Sequence, residues 1–119
     1  MLRQMLSGKI HRATVTEARI DYKGSITIDK ALLKKAGILP NEKVLIANLN
    51  NGSRIESYAI EGPAGSGMIC LNGGAAKHGR VGDLVIILSF GVFTEKEALK
   101  YRPKVVYVDA QNRPLKKAS

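Results

Sequence analysis

The chain has 119 residues, of which 45% are hydrophobic and 24% charged, a composition typical of a folded globular domain. A chain of this length accommodates one domain, which excludes a two-domain enzyme. Nineteen Lys and Arg residues against ten Asp and Glu residues give a net charge of +9, which makes nucleic acid a partner to consider. The charge is spread along the chain and stacking aromatic residues are scarce, so solubility or attraction of small acidic substrates explains it equally well.

Membrane segments and metal sites are not expected. The longest apolar run, Leu84–Leu88, has five residues, against the roughly 20 that a membrane-spanning helix needs. Charged residues and glycine occur too close to the N-terminus to leave room for the apolar stretch of a secretory signal, and we expect a cytoplasmic protein. Cys70, His11 and His78 lack the spacings of a zinc site, so no metal is predicted. Cys70 lies in an apolar run and is interpreted as a core residue rather than a nucleophile.

Turn residues recur about every ten residues, with short β-branched runs between them, which predicts an all-β barrel or sandwich with small helical insertions. The predicted strands cover, in chain order, residues 9–16, 19–22, 26–28, 44–49, 53–60, 68–71, 84–90 and 105–108. The apolar alternation changes parity between the first two strands, which predicts a bulge or bend near Glu17.

Capping and turn residues predict the segments between the strands. Asp29 caps a short helix, Lys30–Ala36, which Gly37 ends. Asn51–Gly52 predicts a hairpin, and residues 62–67 a glycine-rich loop. The capping box Thr94–Glu97 opens a second short helix. Residues 110–119 are polar and basic and are predicted to form a loose tail.

A weak internal repeat relates Asn41–Ile46 to Gly82–Ile87. Each segment has a turn residue, an acidic residue and then apolar residues at matching positions. Such a repeat is expected in a barrel built from two similar, interlocked halves.

The segment Tyr22–Ser25 lies between two predicted strands, where a hairpin turn is the simplest interpretation. It also has a chemical one, because in a strained turn a serine hydroxyl attacks the preceding carbonyl carbon and exchanges an amide for an ester. Glycine tolerates the unusual backbone angles and leaves the carbonyl open to attack. Elimination from the ester would cut the chain between Gly24 and Ser25, and hydrolysis would leave a pyruvoyl group at position 25.

From Met1 to about Pro103 the chain resembles the pyruvoyl-dependent aspartate 1-decarboxylases. The resemblance is carried, in order and with similar spacing, by Met5–Arg12, Tyr22–Ser25, Asn51–Arg54, Tyr58–Ile60, Asn72–Ala76 and Val81–Ile87. It implies a double-psi β-barrel in a single domain and a homotetramer with active sites between neighbouring subunits. It also implies a lyase, made as a zymogen, that converts L-aspartate to β-alanine and carbon dioxide for pantothenate and coenzyme A synthesis without a metal.

The same resemblance implies roles for individual residues. The pyruvoyl group made from Ser25 forms a Schiff base with the substrate and accepts its electrons as carbon dioxide leaves. Tyr58 returns a proton to the carbanion, and Lys9 and Arg54 bind the two carboxylates. The residues implied in self-cleavage are Gly24, Ser25, Ser57 and Asn72, those lining the substrate are Ser57, Gly73, Gly74 and Ala75, and those expected behind them are His11 and Tyr22.

Alternatives remain for several of these residues. Lys9 and Arg54 are also interpretable as solvated charges, and His11 and Tyr22 as structural residues. Tyr58 lies four residues from Arg54 on the same side of one strand, a span of about 13 Å, so strand geometry alone does not bring both to one small substrate.

Three positions depart from the family's pattern. Ser57 stands where the family usually has Thr; it keeps the hydroxyl but lacks the methyl group that limits its rotamers, so self-cleavage is expected to be slower or less complete. Ile26 replaces a common Cys and Gly74 replaces Ala, and both changes are expected to be tolerated.

A different class of protein is the alternative. Residues Gly24–Ile38 also resemble the swapped-hairpin DNA-binding domains of bacterial transition-state regulators, and the positive charge agrees with that function. Those domains are about half as long and do not need Tyr58 or the Asn72–Ala76 turn. The sequence therefore favours the decarboxylase, with neither a nucleic acid nor a membrane as partner.

Overall fold

Strands dominate the computed structural model, which describes residues 1–116. In chain order the elements are β1 (Leu2–Thr14), β2 (Glu17–Arg19), β3 (Ile26–Asp29), α1 (Lys30–Ala36), β4 (Lys43–Asn48), β5 (Arg54–Gly62), β6 (Ile69–Asn72), a 3₁₀ helix (Gly73–His78), β7 (Leu84–Thr94), α2 (Glu95–Lys100) and β8 (Lys104–Tyr107). The strands form one 8-stranded sheet in the order β2-β6-β3-β5-β4-β7-β1-β8. The β2–β6, β3–β5 and β1–β8 pairs are parallel, and the other neighbours are antiparallel.

The core is made of aliphatic side chains from the strands and from one face of α1. The largest fully buried residues are Ile10, Val15, Ile26, Ile28, Leu32, Leu33, Val44, Ile46, Ile69, Leu71, Val85 and Ile87. Burial of each such side chain contributes about 1.5–3 kcal/mol. Cys70 is 2% exposed, which confirms its interpretation as a buried residue. Within residues 1–116, the model has no helix that is both long and apolar enough to span a membrane.

The two segments of the internal repeat meet in the middle of the sheet. The antiparallel β4–β7 pair places Ile46 opposite Ile87, which are equivalent positions of the repeat. Asn41 and Gly82, also equivalent, both have positive φ, at 72° and 95°. The pairing therefore has the local twofold symmetry expected of two interlocked halves.

Strand β1 begins earlier and β7 ends later than predicted. Their outer ends pair as a two-stranded ribbon, with Leu2 opposite Thr94 and Leu6 opposite Phe90. Because both faces of this ribbon are largely exposed, its sequence lacks the alternation that identifies a half-buried strand. The bulge or bend predicted near Glu17 corresponds to a break in the strand, since β1 ends at Thr14 and β2 begins at Glu17 and pairs with β6 instead of β7. The register of β1 also shifts earlier in the strand, where Arg12 has a φ of 64°.

Both predicted helices are present with their predicted caps. Asp29 accepts a hydrogen bond from the Ala31 N–H, and Gly37 ends α1 with a φ of 69°. The capping box of Thr94 and Glu97 opens α2. The buried Asp29 carboxylate does more than cap α1, because it also accepts the N–H groups of Gly65 and Gly67, at 3.0 and 2.9 Å. Asp29 therefore ties the glycine-rich loop to the start of the helix.

Replacing Asp29 with Ala is expected to destabilise the fold by about 2–4 kcal/mol, because three backbone N–H groups lose their acceptor, one of them in a buried contact. The measurement is the unfolding midpoint by circular dichroism. Thr94→Ala, which removes the exposed cap of α2, is the matched control and should lower the midpoint less than half as much. Equal effects of the two substitutions would contradict the role given to Asp29.

The segment after β8 differs from the predicted loose tail. Asn112 is 2% exposed, and its amide nitrogen donates to the carbonyl oxygens of Thr14 and Gly67, each at 2.8 Å. Its Oδ1 accepts the Thr14 N–H at 2.7 Å. The polar composition of this segment gave no sign of these contacts. The Leu115 N–H also donates to the Tyr107 carbonyl oxygen, so the segment is anchored up to residue 115. Residues 117–119 of the predicted tail lie outside the described residues.

Candidate active site

Ser25 has an unusual backbone conformation. Its φ is 105°, in the region that only glycine adopts readily, and the residue is 2% exposed. A non-glycine residue held there stores about 1–3 kcal/mol of strain. Asn72 fixes it from two sides: its backbone N–H donates to the Ser25 carbonyl oxygen at 3.0 Å, and its Nδ2 donates to Ser25 Oγ at 3.0 Å. Ser25 is thus strained, and Asn72 holds both its carbonyl oxygen and its side chain.

The turn before Ser25 packs directly on the backbone of Gly73. Gly73 has a φ of 58°, and a Cβ atom there would lie 2.6 Å from the Tyr22 carbonyl oxygen and 2.9 Å from the Gly24 nitrogen. Four of the five residues of Asn72–Ala76 are Gly or Ala, which let another segment of backbone approach closely. The structure has this close approach at Gly73, where the 3₁₀ helix begins.

Gly73→Ala is expected to slow any reaction of the Gly24–Ser25 bond at least tenfold, because the added methyl group displaces the Tyr22–Gly24 turn. The matched control is the adjacent Gly74→Ala, since a Cβ at Gly74 meets no atom within 4 Å. Chain cleavage is followed by denaturing gel electrophoresis, with the unfolding midpoint measured alongside. Similar cleavage in the two variants would contradict the importance of this contact.

Two adjacent surface cavities open beside Ser25, and we call them together the Ser25 cleft. Both are lined by Gly24, Ser25 and Tyr58. The residues that line only the first are Asp21, Tyr22, Lys23 and Ile60, and those that line only the second are Ile55, Glu56, Ser57, Gly74, Ala75 and His78. Tyr58 comes to Ser25 because β3 and β5 are parallel neighbours with Ile26 beside Ala59.

Five of the predicted site residues do not line this cleft. Asn72 and Gly73 are two of them, and they contact Ser25 and the turn before it from within the fold. Lys9, His11 and Arg54 are the other three. Lys9 and His11 lie on β1, and Arg54 begins β5, and none of them borders either cavity. Within residues 1–116 neither Lys9 nor Arg54 forms an ion pair. His11 packs edge-on against Tyr107, with ring centroids 5.4 Å apart. Burial, with the charges of Lys9 and Arg12, lowers the pKa of His11, so its ring is neutral at pH 7.

Two contacts of Asn72 were not predicted from the sequence. Its Nδ2 also donates to Thr27 Oγ1 at 2.9 Å, and the Cys70 thiol donates to its Oδ1 at 3.2 Å. The signal was available in part, because residues two apart in a strand face the same side and Cys70 is two residues from Asn72. Within residues 1–116, no cluster of three or more His, Cys, Asp and Glu side chains is placed to hold a metal ion.

The class of fold follows from a comparison with solved structures. The chain is similar to the crystal structure of the rationally designed protein mkDPBB_sym_86, with a TM-score of 0.50 and 24% identity, over 69% of this chain and 90% of the designed one. This likeness shows the fold alone: the chain is a double-psi β-barrel, as the sequence resemblance implied.

The family follows from comparisons of sequence. The model of the aspartate decarboxylase family matches residues 1–115. An aspartate 1-decarboxylase from Listeria welshimeri is 62% identical, over 94% of this chain and 88% of the relative. One from Thermoanaerobacter pseudethanolicus is 55% identical, over 97% and 98%. The chain belongs to the aspartate decarboxylase family, which confirms the resemblance and does not favour the DNA-binding alternative.

Proposed function

We propose that this protein is a self-processing aspartate 1-decarboxylase, which converts L-aspartate to β-alanine and carbon dioxide for pantothenate synthesis in the cytoplasm. The observation that carries the proposal is the strained Gly24–Ser25 peptide, held by Asn72 at a cleft shared with Tyr58. Membership of the family, with relatives named aspartate 1-decarboxylase, supports the choice of reaction and substrate.

The first reaction is on the chain itself. Ser25 Oγ bonds to the carbonyl carbon of Gly24 as the Gly24–Ser25 C–N bond breaks, and the hydroxyl proton passes to the freed nitrogen. Loss of the Ser25 Cα proton then breaks the Oγ–Cβ bond and releases Gly24 as a carboxylate. Water replaces the nitrogen of the remaining enamine, ammonia leaves, and residue 25 becomes a pyruvoyl group.

The residues around position 25 fit this processing and the group that it makes. Backbone strain at Ser25 raises the energy of the intact peptide. The Asn72 side chain donates to Oγ, which gains negative charge when the Oγ–Cβ bond breaks. The half-buried Ser57 lines the same cleft as Gly24, and we assign its hydroxyl to the Gly24 carbonyl oxygen. Because Ser57 lacks the rotamer restriction of Thr, we expect slow processing.

The matured group supplies an electrophilic carbonyl that takes up the electrons left on the substrate when carbon dioxide departs. The chain's own groups do the rest. The Asn72 N–H holds the carbonyl oxygen of residue 25, and the backbone of Gly74 and Ala75 lines the cleft. The Tyr58 side chain is 42% exposed at the cleft, and its hydroxyl returns a proton to the substrate carbon.

An aspartate with two carboxylates needs two cations, which we assign to Lys9 and Arg54. Since neither lines the cleft of its own chain, we propose that a neighbouring copy in a homotetramer supplies at least one of them, with His11 beside Lys9. Exposed apolar side chains on the β1–β7 ribbon support such association, with Leu2 at 67% and Val92 at 66%. Tyr22 borders the first cavity, where it shapes the entrance.

The test is incubation of the matured protein with L-aspartate, with carbon dioxide and β-alanine measured together. We expect equimolar amounts of both products, and D-aspartate as a matched probe should release neither. Borohydride added with L-aspartate should fix the substrate covalently to the fragment that begins at residue 25. Matured protein that gives neither product nor adduct would contradict the proposed function.

A further inference from the structure

Four side chains with hydrogen-bonding groups meet on one face of the β3–β6 pair. Thr27 lies opposite Cys70 in the antiparallel register. One step further, the Asn72 N–H donates to the Ser25 carbonyl oxygen, which places these two residues opposite each other as well. Residues two apart in an extended chain share a face, so Ser25, Thr27, Cys70 and Asn72 form a compact square.

Within this square, the side chain of Asn72 bonds to the other three side chains, and Asn72 is 1% exposed. Its Nδ2 has two hydrogens, one directed at Ser25 Oγ at 3.0 Å and one at Thr27 Oγ1 at 2.9 Å. Its Oδ1 accepts from the Cys70 thiol at 3.2 Å. Other acceptors of that thiol, the Leu71 carbonyl oxygen and Glu17 Oε2, are farther away, at 3.9 and 4.0 Å. Both ends of the amide are thus engaged by side chains.

We propose that Cys70 and Thr27 are positioning residues for self-cleavage, which hold the Asn72 amide so that its N–H group faces Ser25 Oγ. This inference rests on the proposed self-processing, in which neither Cys70 nor Thr27 has so far been given a role. Neither residue touches the bond that breaks, so both act through Asn72.

The orientation of the Asn72 amide matters because its two ends differ: Nδ2 donates hydrogen bonds and Oδ1 accepts them. Rotated by half a turn, the Asn72 amide would present Oδ1 to Ser25 and Thr27, whose hydroxyl groups can donate as well as accept. The N–H that stabilises negative charge on Ser25 Oγ would then be lost. The Cys70 thiol favours the observed orientation because it gives Oδ1 a donor. Without it, either orientation leaves a buried amide atom unsatisfied, at about 1–3 kcal/mol, and the preference disappears.

The thiol is suited to this role by its surroundings. Burial, followed by the negative charge of Glu17, raises the pKa of Cys70, although Arg19 opposes the shift. Cys70 therefore remains a protonated donor at neutral pH. The contact with Ser25 exists only in the uncleaved chain, since Oγ leaves with the Gly24 carboxylate during processing.

The test compares the first-order rate of self-cleavage in purified precursor of the wild type, Cys70→Ala and Cys70→Ser. We expect Cys70→Ala to cleave about tenfold more slowly, since about 1.4 kcal/mol corresponds to one factor of ten. Cys70→Ser keeps a donor of similar size and should stay within about threefold of the wild type. Equal rates in the wild type and Cys70→Ala would overturn the proposal.

A second readout separates positioning from general damage to the fold. Once Cys70→Ala has been driven to complete cleavage, its kcat per long fragment should be within about twofold of the wild type, because the contact with Ser25 Oγ no longer exists. A kcat that falls as far as the cleavage rate would overturn the positioning role. If the wild type itself never cleaves on warming, both this inference and the proposed self-processing fail.

Thr27 gives an independent test if Cys70→Ala does not fold. Thr27→Val removes the hydroxyl at nearly constant volume, and Thr27→Ser keeps it. We expect Thr27→Val to cleave several-fold more slowly and Thr27→Ser to cleave near the wild-type rate. Equal rates in these two variants would contradict the positioning role of the Thr27 hydroxyl.

Discussion

Ser25→Ala is expected to abolish both chain cleavage and carbon dioxide release from aspartate. The substitution removes the hydroxyl that attacks the Gly24 carbonyl carbon in the proposed processing, and without cleavage no electrophilic carbonyl forms. Intact mass spectrometry should show a single full-length chain after prolonged warming, and product release should be below detection. Because Ser25 Oγ accepts a single hydrogen bond from Asn72, the variant should still fold.

The matched control is Ser66→Ala in the glycine-rich loop, whose hydroxyl group bonds, within residues 1–116, to the backbone of Pro63 and Met68. It should cleave and turn over like the wild type. Residual decarboxylation by uncleaved Ser25→Ala, at more than a few per cent of the wild-type rate, would contradict the account of how the reactive group arises.

Tyr58→Phe is expected to mature normally and then to turn over at least 100-fold more slowly. Tyr58 lines the cleft, and in the proposed mechanism its hydroxyl returns a proton to the substrate carbon. Loss of a general acid typically lowers the rate by about 10²–10⁴. Since the hydroxyl is not needed to bind the carboxylates, KM should change by less than about threefold. The measurement is steady-state kinetics per mole of matured fragment.

Tyr101→Phe is the control for loss of a tyrosine hydroxyl outside the cleft. Tyr101 donates to the Ser7 carbonyl oxygen at 2.9 Å, so this variant should lose some stability while keeping its kcat. Equal kcat values for Tyr58→Phe and the wild type would remove Tyr58 from its role as proton donor.

Local elements of the fold were predictable because their signals are local. Asp29 and Gly37 bound α1 as predicted, and Thr94 with Glu97 opens α2. Capping depends on residues two to four positions apart, which the sequence displays directly. The ribbon formed by the ends of β1 and β7 was missed because neither of its faces is buried enough to impose alternation. The buried contacts of Asn112 were missed because they depend on Thr14 and Gly67, distant in the chain.

For the candidate site, the sequence identified the residues of the motifs but not the contacts that depend on strand register. Motifs identified Ser25, Asn72 and Gly73, and the structure brings these residues into contact or close approach. The roles of Cys70 and Thr27 depend on the register between β3 and β6, which no motif encodes. Arg54 does not line the cleft that Tyr58 borders, in line with the estimate that one strand does not by itself bring both side chains to one small substrate.

The most direct test of the account is the intact mass of the purified wild-type protein, followed over time at raised temperature. We predict that the full-length mass gives way to two fragments. The short one ends at Gly24 with a free carboxylate, and the long one begins at residue 25 with a pyruvoyl group in place of an amino terminus. A full-length chain that persists unchanged, or cleavage at any other bond, would contradict the central claim.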